Sequence, residues 1–349
     1  MTTMNTSARS RGEPGFADLD VYTTCPQSKD LPAEVYLRHV ADVARWSDRV
    51  GARGMLLYTD NGIVDPWLVA NEAIRATEHL RPLTAIQPVY LHPYAVAKMI
   101  TTIAFLHGRA VDLNLLAGGF RTDLLALGDD TRHDDRYARL VEYTRIVDGL
   151  LRGETVSADG RWYSVKNLRL KPQLPEALRP RMLISGSSPA GLAAAAALNA
   201  MAIRYPRPVE DETQDPGPRP PAGVGVRVGV IARASEDEAW RVAVERFPPD
   251  RKGQLRHALA MKVSDSHWHR DLSRRDEGGE DDLHPYWLSP FANGHTFCPY
   301  LVGNHDRVGA EIARYVAAGF TTFILDIPPD EEDLWDASLA FRAARRAYA

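Results

Sequence analysis

The sequence is poor in cysteine, shows no excess of one charge and lacks a long apolar run. Its two cysteines, Cys25 and Cys298, cannot build a disulfide framework, and neither sits in a CxxC or Cys/His spacing. That usage suits a reducing compartment and points to a cytoplasmic protein. With 42 basic against 46 acidic residues the net charge is −4, so the basic field that a nucleic-acid backbone demands is missing. No nucleic-acid partner is expected. The longest apolar stretch, near 190–203, is too short and too rich in alanine to span a bilayer, and no membrane partner is expected either. The opening residues, MTTMNTSARSRGEPGF, carry no apolar segment of the secretory kind.

Several catalytic signatures are also missing. There is no GxxxxGK[ST] loop for nucleoside triphosphates and no GxSxG elbow for a serine nucleophile. Gly223–Gly229 reads GVGVRVG, but its glycines have the wrong spacing for a dinucleotide and lie inside a strand pattern. His267, His269 and His284 have no companion ligand pattern, so no metal site is expected.

What is present is a repeating alternation of strand and helix. Residues 1–17 are polar and aperiodic and read as a flexible tail. From 18 to 349 a single domain is expected, with strands at 19–24, 55–58, 83–88, 111–116, 182–185, 201–205, 224–233 and 320–327. Helical patterns fall between most of them, including 33–50, from Pro66 to His79, 94–107 and 134–151. Eight such units predict an α/β fold, a (β/α)8 TIM barrel of about 250 core residues plus insertions. One insertion, about 154–172, alternates around Asp159-Gly160 and predicts a β-hairpin excursion. The other, about 248–303, predicts a long loop before the last unit, with a solvated charge run at 274–282. Six prolines between Pro206 and Pro221 predict a missing or broken helix after the sixth strand.

Functional groups of such barrels sit on the loops that follow the strands. At the fifth, Ile184-Ser185 runs into Gly186-Ser187-Ser188 and then a helix start. Free backbone N–H groups and the helix dipole there suit a phosphate, and an N-capping serine would leave the same pattern. Cys25 ends the first strand, where a thiol faces either a ligand or the core. Arg227 lies within the seventh strand, either inward toward an anion or outward in a salt bridge.

Taken in order, these stretches resemble a known family. The carriers are Gly108-Arg109-Ala110-Val111-Asp112-Leu113-Asn114-Leu115-Leu116-Ala117-Gly118, His133-Asp134-Asp135-Arg136-Tyr137, and Leu151-Arg152-Gly153-Glu154-Thr155-Val156. Ile184–Ser188, Asp65–Ala70 and Ser235–Trp240 add to them, and the collinear match runs from about 19 to 345. The chain is similar to the bacterial-luciferase-like flavin-dependent monooxygenases, closest to the alkanesulfonate monooxygenase branch. The resemblance implies FMN at the C-terminal ends of the strands, its phosphate on Gly186, Ser187 and Ser188, with Tyr137 and His133 reaching it and Asn114 lining the flavin. It implies FMNH2 supplied by a separate NAD(P)H-dependent flavin reductase, with O2 and a small or medium organic molecule as substrates. A flavin (hydro)peroxide would then oxygenate that molecule. A homo-oligomer fits the family's habit.

The departures concern the substrate. Ile63, Gly229 and Pro328 stand where the alkanesulfonate enzymes carry cysteine, histidine and tyrosine, and only Arg227 of that anion-binding set is kept. Cys25 and His295 are candidate replacements by position. Two other functions stay open: an F420-dependent oxidoreductase on the same barrel, and a non-catalytic flavin-binding protein. The larger acidic tail of F420 needs added basic residues at the phosphate turn, and 186–191 holds none.

Overall fold

Eight parallel strands close on one another in this chain. The computed structural model describes residues 16, 19–250 and 284–348. The barrel order is β1 (Asp20–Thr24), β2 (Gly54–Leu57), β3 (Arg81–Ile86), β4 (Asp112–Leu115), β7 (Met182–Ser185), β8 (Met201–Arg204), β9 (Val224–Arg233) and β12 (Phe320–Leu325), which returns to β1. β5 (Val156–Asp159) and β6 (Ser164–Leu168) form the expected antiparallel hairpin outside the ring. The helices α1 (Ala33–Arg49), α2 (Pro66–Ala76), α3 (Pro93–His107), α5 (His133–Leu151), α6 (Pro189–Leu198) and α8 (Glu236–Arg246) occupy the links, followed by helices His305–Ala317 and Glu331–Tyr348.

Local chemistry sets these boundaries. Asp65 and His92 accept backbone N–H groups at the starts of α2 and α3, each followed by proline in the first turn. Gly108 ends α3 in the left-handed region, with φ of 63°. Inside the ring, Tyr22, Leu56, Leu83, Leu183, Ile203 and Ile324 form a buried layer. Below it the fully buried Asp112 accepts from the Tyr22 hydroxyl at 2.8 Å, Arg53 Nε at 3.2 Å and the Arg181 amide at 2.9 Å. This polar plug fills the N-terminal end of the barrel, so any cavity for a ligand has to lie at the other end.

Three features differ from the sequence expectation. A six-residue helix, α4 (Arg121–Ala126), follows β4; it is too short to show a helical period. The proline-rich stretch still forms a helix, α7 (Val209–Gln214), of six residues before Pro216 and Pro218 stop it. The second insertion is not all loop. It contains β10 (Tyr286–Trp287) and β11 (Tyr300–Asn304), and β11 pairs in parallel with Gly229–Arg233 of β9. The charge run at 274–282, His267 and His269, and nearly all of the 1–17 tail lie outside the described residues.

Candidate functional site

A cavity of about 270 Å³ opens at the C-terminal ends of the barrel strands. Its floor is apolar, from Leu56, Ala85, Ile203 and Ile324. Asn114, His133, Tyr137, Gly186, Ser187, Ser188 and Arg227 all line it, so seven residues singled out from sequence come together here.

One wall is the turn between β7 and α6. Gly186 has a φ of 156°, and a Cβ there would run into the Tyr137 hydroxyl. Gly191 serves the same packing, since its Cβ would lie 3.2 Å from the Tyr137 ring. The capping role left open above falls to one of the two serines. Ser188 is buried and caps α6 by accepting the Gly191 amide at 3.1 Å, and it also hydrogen-bonds Tyr137. Ser187 is partly exposed on the cavity, and its hydroxyl and amide have no partner among the described residues. Burial raises the Tyr137 phenol above its usual value, which keeps it a neutral hydroxyl. His133 lies edge-on to Tyr137 at 5.2 Å, with Nδ1 2.7 Å from Asp134. Asn114 is buried, and its Oδ1 accepts from Ser185 Oγ at 2.8 Å.

A second wall, two strands along the ring, carries charge. Arg227 is 7% exposed and donates to the Tyr58 hydroxyl and, at 3.4 Å, to that of Tyr205. Its guanidinium lies 5.0 Å from the Tyr58 ring centre and 3.7 Å from Asp326, while its buried Nε has no hydrogen-bond partner among the described residues. Arg227 thus faces inward on the cavity, and the charge beside it is that of Asp326. Asp326 also accepts from the Tyr300 hydroxyl at 2.8 Å. Burial pushes the Tyr205 and Tyr300 phenols well up, so both stay protonated donors.

Two sequence candidates stand apart from this cavity. The Cys25 thiol is buried beside Tyr36 of α1, and burial pushes its pKa up to about 12. A thiol so held is no nucleophile near neutral pH. His295 is exposed, with Nε2 3.0 Å from the Pro248 carbonyl and its ring beside Phe247. Neither lines the cavity. The sequence reading did not single out Tyr58, Gln87, Tyr300 or Asp326. Gln87 fell only within a strand-end stretch, and the meeting of Tyr58 and Asp326 with Arg227 leaves no trace in spacing. The Gly229 departure has a structural account, because the Tyr300 ring occupies the space a side chain there would need.

The model of the luciferase-like monooxygenase family matches residues 18–322. The chain belongs to that family. This luciferase-like enzyme is a flavin-dependent monooxygenase. It is 32% identical over 304 residues to the 4-(gamma-L-glutamylamino)butanoyl-[BtrI acyl-carrier protein] monooxygenase BtrO of Niallia circulans, covering 85% of this chain and 89% of that one. Among solved structures, the long-chain alkane monooxygenase LadA superposes with a TM-score of 0.71 at 16% identity, covering 95% of this chain and 92% of that one. The oxygenating constituent of 3,6-diketocamphane monooxygenase from Pseudomonas putida, solved in complex with FMN, gives 0.66 at 16% identity, covering 93% and 97%. At these identities the two structures establish the shared barrel. No helix among the described residues is long and apolar enough to cross a membrane.

Proposed function

We propose that this luciferase-like monooxygenase works with FMN in its reduced form, delivered by a separate NAD(P)H-dependent flavin reductase, and oxygenates an organic molecule of small or medium size. The observation that carries this reading is the turn at 186–188. It sets the hydroxyl and amide of Ser187, unpartnered among the described residues, at the start of a ten-residue helix, on the rim of a cavity with an apolar floor. A phosphate suits that donor set and the helix dipole. Asn114 and the small residues Ala85, Gly118 and Gly119 suit a flat ring system. Reduced flavin, when bound, supplies the electrons that activate molecular oxygen for insertion of one atom into the substrate.

The protein's own residues then have three tasks. Ser187 and the α6 N-terminus bind the phosphate, with Tyr137 and Ser188 holding the turn in shape. The apolar floor excludes water from the reacting region. Arg227 offers the cavity-lining part of its guanidinium to an anionic group of the substrate, while the tyrosine hydroxyls fix the direction in which it points. BtrO is named for an acyl chain carried on a protein. An extended chain entering through the open mouth, past Lys29 and Phe297, suits the cavity of this protein.

An anaerobic titration with reduced FMN, followed by mixing with oxygenated buffer, tests the reading. The expected result is saturable binding and reoxidation slower than that of free flavin. Absence of binding, or reoxidation at the free rate, would remove it. The division of labour between the serines gives a second check. Ser188→Ala should lower stability by about 1 kcal/mol through the lost cap, seen as an earlier urea midpoint. Ser187→Ala should leave that midpoint in place and weaken reduced-FMN affinity by about 1 kcal/mol. The reverse pattern would reassign the turn.

A further inference from the structure

A second chamber of about 280 Å³ lies beside the first, between the loops that follow β2 and β3. The two chambers share Thr59, Asp60, Ala85 and Gln87 as a common wall. Beyond that wall the lining is mainly apolar, with Ile63, Trp67, Ile86 and Val96 prominent. The charged groups of the lining are both acidic, Asp60 and Asp65, and among the described residues no basic side chain lines it.

The polar groups differ in what they have left to offer. Asp65 is committed to the start of α2, accepting the Trp67 and Leu68 amides at 2.9 and 3.4 Å. Asp60 Oδ1 accepts the Gly62 amide at 2.6 Å, and its second oxygen takes no hydrogen bond from the described residues. Gln87 is 9% exposed; its Nε2 reaches the Thr59 carbonyl at 3.5 Å, and its Oε1 has no donor among the described residues. That oxygen, on a side chain otherwise buried in the shared wall, is an acceptor open to a ligand that brings a donor. Tyr90, whose hydroxyl bonds Asn61, is pushed up to about 12 by burial, then by Asp123 and Asp60. Burial resists a charge of either sign, so only the Asp123 and Asp60 carboxylates in that shift work in favour of a cation.

We propose that this chamber is a second substrate subsite, taking an amine-bearing end whose protonated nitrogen sits between Asp60 and Gln87 while its carbon chain lies along Trp67 and Val96. The inference rests on the reading above, since reduced flavin in the first chamber leaves the adjoining space to the substrate. It adds a substrate class, namely amines, and excludes molecules that end in a carboxylate on this side.

Calorimetric titration of the full chain without flavin, using hexylamine, hexan-1-ol and hexanoate near neutral pH, tests it. Hexylamine should bind about tenfold tighter than hexan-1-ol, with hexanoate weakest. Asp60→Asn keeps an oxygen for the Gly62 amide, and it should reduce hexylamine affinity about tenfold while leaving hexan-1-ol unchanged. Ile63→Trp narrows the chamber from its open side and should block both probes while reduced FMN still binds. Equal affinity for hexylamine and hexanoate, or an Asp60→Asn chain that binds hexylamine unchanged, overturns the proposal. Reduced FMN binding without hexylamine binding rejects the subsite alone. Hexylamine binding without reduced FMN binding rejects the flavin reading and leaves the chamber standing as an amine site.

Discussion

Replacing Arg227 with methionine should lower stability by about 3 kcal/mol, toward the lower end for breaking a buried ion pair. The cause is what the substitution leaves behind. Asp326, whose side chain is 13% exposed, keeps the Tyr300 hydroxyl but loses its cation, and the Tyr58 and Tyr205 hydroxyls lose a donor. The 3.7 Å approach is long for an ion pair, which is why the lower end applies. Adding Asp326→Asn should recover part of the loss, because the uncompensated charge is then gone. Urea denaturation of the two variants measures this directly. In turnover, Arg227→Met should raise KM for an anionic substrate far more than the Kd for reduced flavin. Equal increases in both would mean general damage and would remove Arg227 as a substrate anchor.

Gly186→Val should weaken reduced-FMN affinity by about 2 kcal/mol, or roughly thirtyfold. Two costs combine at this position. A side chain with a φ of 156° is strained, and its Cβ runs into the Tyr137 hydroxyl. Tyr137 cannot yield easily, being buried, hydrogen-bonded to Ser188 and packed against His133. The turn therefore has to move, and the Ser187 donors move with it. Adding Tyr137→Phe removes the obstructing hydroxyl and should restore part of the affinity. A Gly186→Val chain with normal affinity and normal stability would detach this turn from the flavin reading.

The barrel was legible because its strands are buried runs bounded by glycine, proline or charge. β9 shows why, with nine of its ten residues buried. The elements that escaped were α4 and α7, at six residues each, and β11, whose pairing depends on the far half of β9. Site residues followed a similar division. The turn at 186–188 is local, and its strand-turn-helix grammar is written in consecutive letters. Cys25 shows the limit of position, since the end of a strand does not say which way a side chain faces. Its thiol turns out toward Tyr36 on α1 and away from the cavity. The Arg227 cluster joins a residue within β9 to residues at the ends of β2, β8, β11 and β12, and no spacing in the chain records that meeting.

β9 serves two structures in succession. Val224–Val228 is registered against β12 inside the closed ring, and Gly229–Arg233 is registered against β11 outside it. The changeover falls at Gly229, beneath the Tyr300 ring. The segment that brings Phe297 to the cavity mouth is thus fastened to the frame through one half of that strand, with the Tyr300 hydroxyl on Asp326 and the Tyr286 hydroxyl on the Pro206 carbonyl beside it. That arrangement makes the cover an interchangeable part. Cys298 and Pro299 belong to the frame, the first buried and the second accepting the Gly229 amide at 2.9 Å, so what the mouth admits can be redesigned within residues 292–297 while the ring beneath keeps its dimensions.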